Sequence, residues 1–250
     1  MNRVVPTRTL LVSLFLFLLA SSPTNAFDSV VIDPGHGGAD EGTAWYHVKE
    51  KDTALAVALH LEKLLRKNAI ECHLTRRTDT YVSLDDRAKI ADRHPRSLMV
   101  SIHFNGSSVE SSSGFATYYF SASPSGKFVA QTIQEALDES HDTRNRGIHP
   151  QDYAVLVRTT GCAVLVECGF LSNKAESRLF SSPEGQEKLA EGLLLGIMRA
   201  KPSTIEDPPE TEIAKCEAYG KRIQEKEHKS KAAAGRAKPP TRSQRSPQKK

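Results

Sequence analysis

The sequence has no apolar run long enough to cross a bilayer. Its most apolar stretch, Leu10 to Ala20, covers eleven residues, against the roughly 20 that a membrane-spanning helix requires. Arg3 and Arg8 precede that run, and a polar segment ending Thr24-Asn25-Ala26 follows it. This is the three-part layout of an export signal over residues 1–26, with cleavage expected after Ala26. The mature chain is then expected outside the cytoplasm, in the periplasm or cell envelope. Cysteine is scarce, four residues in 250, and none has the close CxxC spacing of a structural zinc knot. Cys162 and Cys168 fall in one expected strand, roughly 20 Å apart at about 3.3 Å per residue. That exceeds the ~7 Å Cα limit for a disulfide, so these two cannot pair with each other. Pairing with Cys72 or Cys216 stays open. No aromatic residue follows Tyr219, so the basic C-terminal end lacks the stacking side chains of a single-strand nucleic-acid binder. Nucleic acid is not an expected partner.

What is present is a globular composition, 38% apolar and 26% charged, with an uneven charge. Between Lys221 and Lys250 eleven Lys and Arg face only Glu225 and Glu227, a net +9. The first 26 residues add +2, and the total of +4 leaves −7 for residues 27–220. Residues 27–200 read as one domain and as a monomer. Residues 201–250, with Pro208-Pro209 and Pro239-Pro240 among Ala and Lys, read as a linker and a disordered basic tail. Such a tail would attract anionic envelope polymers or acidic membrane surfaces in a salt-dependent way.

Within the domain, apolar Val30-Val31-Ile32 predicts a buried strand that breaks at Pro34-Gly35-His36-Gly37-Gly38. Glu50 opens a helix to about Lys67, with Leu55, Ala58, Leu59, Leu61 and Leu65 as its apolar face and Asn68 as a left-handed stop. Strands are expected over 70–75, 97–103, 115–120, 153–157 and 163–166. Ser83 with Asp86 predicts a capped helix over 84–93. Ser123-Pro124 and Ser182-Pro183 open helices that run to about Ser140 and Ala200. Strands alternating with helices make this an α/β chain: one domain with a mixed, largely parallel sheet flanked by helices.

Chemistry collects at strand ends, where open α/β sheets bind ligands. His36 follows the first strand, His103 ends the third, Glu167 follows Val164-Leu165-Val166, and Glu50 starts a helix. His36, His103 and Glu50 each have a plainer reading alone, as a loop histidine, a core histidine and a helix-start charge, whereas an acid after three apolar residues, as at Glu167, is costly unless paired or functional. Together, two imidazoles and a carboxylate with one position left to water form a catalytic zinc sphere. A further carboxyl outside it is the base such a site needs. Arg76, Asp79 and Arg87 read as an ion-pair lattice beneath the sheet. His47, His60, His73, His94, His141, His149 and His228 read as surface or packing residues.

Five blocks then carry a resemblance: Ile32-Asp33-Pro34-Gly35-His36-Gly37-Gly38, Glu50-Lys51-Asp52, Leu74-Thr75-Arg76, Ser101-Ile102-His103-Phe104-Asn105, and Val164-Leu165-Val166-Glu167-Cys168-Gly169-Phe170-Leu171-Ser172-Asn173. Their order and spacing over about residues 28–200 resemble the zinc-dependent N-acetylmuramoyl-L-alanine amidases. Departures stand at Glu41 and at Gly161-Cys162, where the family commonly has proline; neither is a ligand position. The resemblance implies one Zn²⁺ held by His36, Glu50 and His103, with Glu167 as the catalytic carboxylate. It implies hydrolysis of the bond between the lactyl group of N-acetylmuramic acid and L-alanine in peptidoglycan, for wall remodelling or daughter-cell separation. Asn105, Arg144 and Arg146 are the candidates for holding substrate. Some relatives plug the groove with an inserted segment between the second histidine and the final glutamate. Here residues 104–166 are taken up by strands and one helix, so an open groove is expected. The competing expectations are a zinc peptidase cutting within the stem peptide and a non-catalytic wall-binding module.

Overall fold

The computed structural model describes residues 27–201. The expected export signal, the linker and basic tail, Cys216 and His228 lie outside the described residues. The chain runs β1 (Ser29–Pro34), β2 (Ala44–Trp45), β3 (Val48–Lys49), α1 (Glu50–Lys67), β4 (Glu71–Leu74), α2 (Leu84–Asp92), β5 (Ser97–Asn105), β6 (Phe115–Tyr119), α3 (Pro124–Ser140), β7 (Asn145–Pro150), α4 (Ala154–Arg158), β8 (Cys162–Phe170), α5 (Lys174–Ser181) and α6 (Pro183–Ala200). Six strands form one sheet in the order β4-β1-β5-β8-β6-β7, while β2 and β3 make a separate small hairpin. Strands β4, β1, β5 and β8 are parallel; β6 runs antiparallel to β8, and β7 is parallel to β6. The expected mixed, largely parallel sheet flanked by helices is what forms.

Both faces of the sheet are covered, which explains why β1 reads as a continuous apolar run. Val30 and Ile32 enter a core shared with α1, α3 and α6, through Val57, Leu61, Ile133, Leu137, Leu193 and Ile197. Val31 points the other way, into a smaller core with Met99, Leu165 and Val155-Leu156-Val157 of α4. Burial of each such side chain contributes about 1.5–3 kcal/mol.

Several expectations are corrected. Residues 154–158 form the short helix α4 where a strand over 153–157 is expected, because a four-residue apolar run fits either element and here covers the second sheet face. The apolar stripe of α1 is rotated: Ala54, Val57, Ala58, Leu61 and Leu65 are buried, while Leu55 is half-buried and Leu59 exposed. The left-handed residue that ends α1 is Ala69 (φ 55°), not Asn68. Its N–H reaches Arg66 O, and that of Ile70 reaches Leu65 O, which satisfies the last carbonyls in a Schellman arrangement. Strand β7 and helix α5 were not anticipated. The former is a polar edge strand, and the latter is capped by Asn173, whose side chain accepts from Ala175 and Glu176 N–H. Cys162 and Cys168 do share β8, and the three described cysteines, with Cys72, are free.

The expected lattice of Arg76, Asp79 and Arg87 is not mutual; each group grips the loop after β1. Arg87 pairs with buried Asp33 (2.6 Å) and donates to Pro34 O (2.7 Å) and His36 O (2.6 Å). Asp33 also accepts from Thr75 and Ser101 hydroxyls at 2.6 and 2.7 Å. Arg76 donates to Pro34 O, Gly35 O, Lys51 O and Thr78 O. Asp79 instead takes Lys51 (2.7 Å) and the Gly38 N–H (2.7 Å). Arg87→Ala would strand the Asp33 charge in the core, so it should cost roughly 3–5 kcal/mol of stability. Urea unfolding reads this directly, and a loss under about 1 kcal/mol would mean the Asp33 charge is solvated.

Candidate metal centre and catalytic face

His36 sits in the left-handed region (φ 58°), where a non-glycine residue is strained. The clasp of Arg87 and Arg76 on the carbonyls of 34–36 holds it there. Its imidazole meets Glu50, the first residue of α1, with Nε2 3.1 Å from Oε1. His103, near the end of β5, brings Nδ1 to 2.9 Å from the same oxygen. The two rings meet edge to face with centroids 5.0 Å apart. One nitrogen or oxygen from each of the three lies within 4.8 Å of the others, and this is the only such group among the described residues.

The donor set suits a divalent cation. Two nitrogens and one oxygen converge, the combination of a catalytic zinc site with an open position. Supporting contacts orient two of the three donors, His36 and Glu50. Asp40 Oδ2 lies 2.9 Å from His36 Nδ1, the carboxylate–histidine pairing that fixes a ligating imidazole. Glu50 also accepts the Phe104 N–H on Oε1 (3.0 Å) and the Thr43 N–H on Oε2 (2.9 Å). Space is reserved by glycine: a Cβ on Gly35 would fall 2.4 Å from the His103 ring. At Gly42 (φ +65°) a Cβ would fall 2.5 Å from Glu50 Oε2.

The electrostatics match. Burial works against charge on Glu50, yet hydrogen bonds from His103 and His36 overcome it and hold the carboxyl well below the usual carboxylate range. Burial likewise opposes a charged His36. The hydrogen bond and charge of Glu50, helped by Asp40, outweigh it and raise His36 to about 9. Without a cation this pocket keeps a proton on His36, which metal uptake would displace.

Glu167 on β8 pairs in register with His103 on β5. Its Oε2 is enclosed and has no hydrogen-bond partner among the described residues. Burial, reinforced by nearby Glu50 and opposed by His103 and His36, pushes it up to about 7. A carboxyl poised there can take and return a proton near neutral pH.

The family of proteins built this way is clear from comparison. The model of the N-acetylmuramoyl-L-alanine amidase family matches residues 30–199, more than half of the chain. The chain belongs to the N-acetylmuramoyl-L-alanine amidase family. Its fold resembles that of an N-acetylmuramoyl-L-alanine amidase from Clostridium difficile, with a TM-score of 0.66 and 35% identity, over 70% of this chain and 96% of that one. The catalytic domain of CwlV from Bacillus (Paenibacillus) polymyxa var. colistinus gives a TM-score of 0.66 and 34% identity over 69% and 97%. Among curated sequences, the probable cell wall amidase LytH of Staphylococcus epidermidis is 32% identical over 182 residues, 72% of this chain and 60% of LytH. The enzyme class is that of the family, amide hydrolysis in peptidoglycan.

The remaining candidates divide. Asn105, half-buried at the end of β5, accepts Leu171 N–H on its backbone carbonyl, and its side chain makes no hydrogen bond among the described residues. Arg144 accepts Phe115 N–H through its carbonyl and leaves its side chain exposed. Arg146 lies over the Phe170 ring, with its Cζ 5.1 Å from the centroid. Asp40 was not anticipated, although a carboxylate four residues after a candidate histidine ligand was the available signal.

Proposed function

We propose that this enzyme is a zinc-dependent amidase that cleaves the bond between the lactyl group of N-acetylmuramic acid and the L-alanine of the stem peptide. In this reading the export signal at 1–26 sends the domain of 27–200 to the periplasm or cell envelope. There it serves wall remodelling or daughter-cell separation, as a monomer, with the basic tail of 201–250 drawn to anionic envelope polymers or membrane surface. The observation that carries the reading is the meeting of His36, Glu50 and His103 around one point, with the unpartnered carboxyl of Glu167 beside them. Zn²⁺ held by the first three would supply a Lewis acid for the lactyl carbonyl and a more acidic water. Glu167 takes a proton from the attacking water. It then returns that proton to the L-alanine nitrogen as the C–N bond breaks. Asp40 and the N–H groups of Thr43 and Phe104 keep His36 and Glu50 in place throughout, and Asn105 offers its free amide to the substrate.

Residues 104–166 are taken up by the end of β5, the loop of 106–114, β6, α3, β7, α4, their short connections and the start of β8, which supports a groove that works without an activator. Digestion of muropeptides by the purified chain, with and without a chelator, tests the proposal by mass spectrometry. Stem peptides beginning with L-alanine should appear with no second protein added, and should be lost when chelator is present. Cleavage inside the stem would make this a peptidase, and cleavage only after a partner is added would overturn the open groove.

A further inference from the structure

Most arginines that order this domain are paired with acids or loop carbonyls: Arg66 and Arg77 on Glu62, Arg87 on Asp33, Arg96 on Asp28, Arg158 on Asp85, Arg199 on Glu139. Arg146 makes no ion pair among the described residues. The one hydrogen bond of its side chain there runs from Nη1 to Ser113 O at 3.1 Å. Its exposed side chain lays the guanidinium over the buried Phe170 ring as a cation–π contact. The platform beneath is itself pinned, because the buried Glu176 carboxyl accepts both Phe170 N–H and Gly114 N–H at 2.7 Å.

The register places this fork on the same sheet as the proposed catalytic carboxyl, two strands away. Glu167 pairs with Ala116 on β6, and Ala116 faces the point where β7 slips register between Asn145 and Ile148. That slip holds Arg146, two strands from Glu167, roughly 10 Å at about 4.8 Å per strand. The Tyr118 phenol lies within the field of both Glu167 and Arg146. Phe170, in turn, pairs with Asn105, two residues past His103.

We propose that Arg146 grips the free α-carboxylate on the second residue of the stem peptide, selecting stems that carry it over stems in which it is amidated. The inference rests on the amidase reading above. The scissile nitrogen belongs to the first stem residue. The second, a D-glutamate joined onward through its side chain, carries its α-carboxyl either free or capped as the amide of D-isoglutamine. One residue of extended chain spans about 3.3–3.6 Å, so that carboxyl falls within the stretch between Glu167 and the reach of Arg146. A guanidinium fork matches a carboxylate in charge and in paired acceptors; an amide offers no charge and a single acceptor oxygen.

The test compares two muropeptides of the same tripeptide length, one with D-glutamate and one with D-isoglutamine at the second position. The zinc-loaded full chain should favour the acid form in kcat/KM by roughly ten- to a hundredfold, the range for a hydrogen bond to a charged group. Arg146→Gln should bring the rate on the acid form down to about that on the amide form, mainly through KM, and Arg146→Lys should restore only part of the preference. Equal rates on the two substrates with the wild-type chain would overturn the proposal. So would an Arg146→Gln variant that loses the same factor on both, the mark of a merely structural role. Calorimetric binding of the same pair to Glu167→Gln reads the preference without turnover. A chain that prefers the acid form in binding yet hydrolyses neither would refute the amidase reading and leave the Arg146 assignment standing.

Discussion

Glu167→Gln should leave the zinc content near one ion per chain and lower muropeptide cleavage by roughly a hundred- to ten-thousandfold, the range for a lost general acid–base group. The substitution keeps the shape of the side chain but removes its ability to carry the proton. Glu167 stands outside the group of three donors, so metal content should not follow activity down. Nor should stability fall, because its Oε2 makes no hydrogen bond that glutamine would lose, and a buried group that need not be charged avoids a desolvation cost. The sign of the pH dependence follows. Glu167 acts first as a base, so activity needs the carboxylate and should decline as pH drops through its pKa. That pKa is about 7 without metal, and a bound cation would favour the carboxylate and move the limb lower. Cleavage assays across pH with metal analysis of the same samples check both parts; a variant within threefold of wild type would remove Glu167 from the mechanism.

His103→Ala, or His36→Ala, should drop zinc well below one per chain after dialysis, with activity lost in parallel. Three donors are the least that hold a catalytic zinc, and each of these changes deletes one. The domain should remain folded, since the cores on both sides of the sheet do not include either ring. Thermal unfolding separates this from general damage: chelator should lower the Tm of the wild-type chain and leave that of the variants unmoved. Full zinc occupancy in either variant would dissolve the proposed centre.

The residues at this centre were legible in sequence because strand ends betray themselves. An apolar run that stops at Pro34-Gly35 or at His103-Phe104-Asn105 marks the rim of the sheet without any knowledge of pairing. The supporting residues were less visible. Arg87 was expected to join Arg76 and Asp79; its actual partner, Asp33, is 54 positions away, and no local period encodes such a choice. Strand β7 escaped because it is an exposed edge with Gly147 and Pro150 within it, and an edge strand need not alternate. α4 was mistaken for a strand because Val155-Leu156-Val157 is apolar on every side. What decided it was the uncovered lower face of the sheet, a tertiary demand that overrides local preference.

The reversal of β6 and β7 divides the labour of the molecule. On one half the groups proposed to react stand where parallel strands finish, so their positions are inherited from the hydrophobic centre and resist change. On the other half stand the beginnings of β6 and β7, and the links of 106–114 and 141–144 that lead into them. Those links can lengthen, shorten or change sequence without shifting His36, His103 or Glu167. A lineage of such proteins can therefore adapt to different walls by editing these links while the proposed hydrolytic side stays constant.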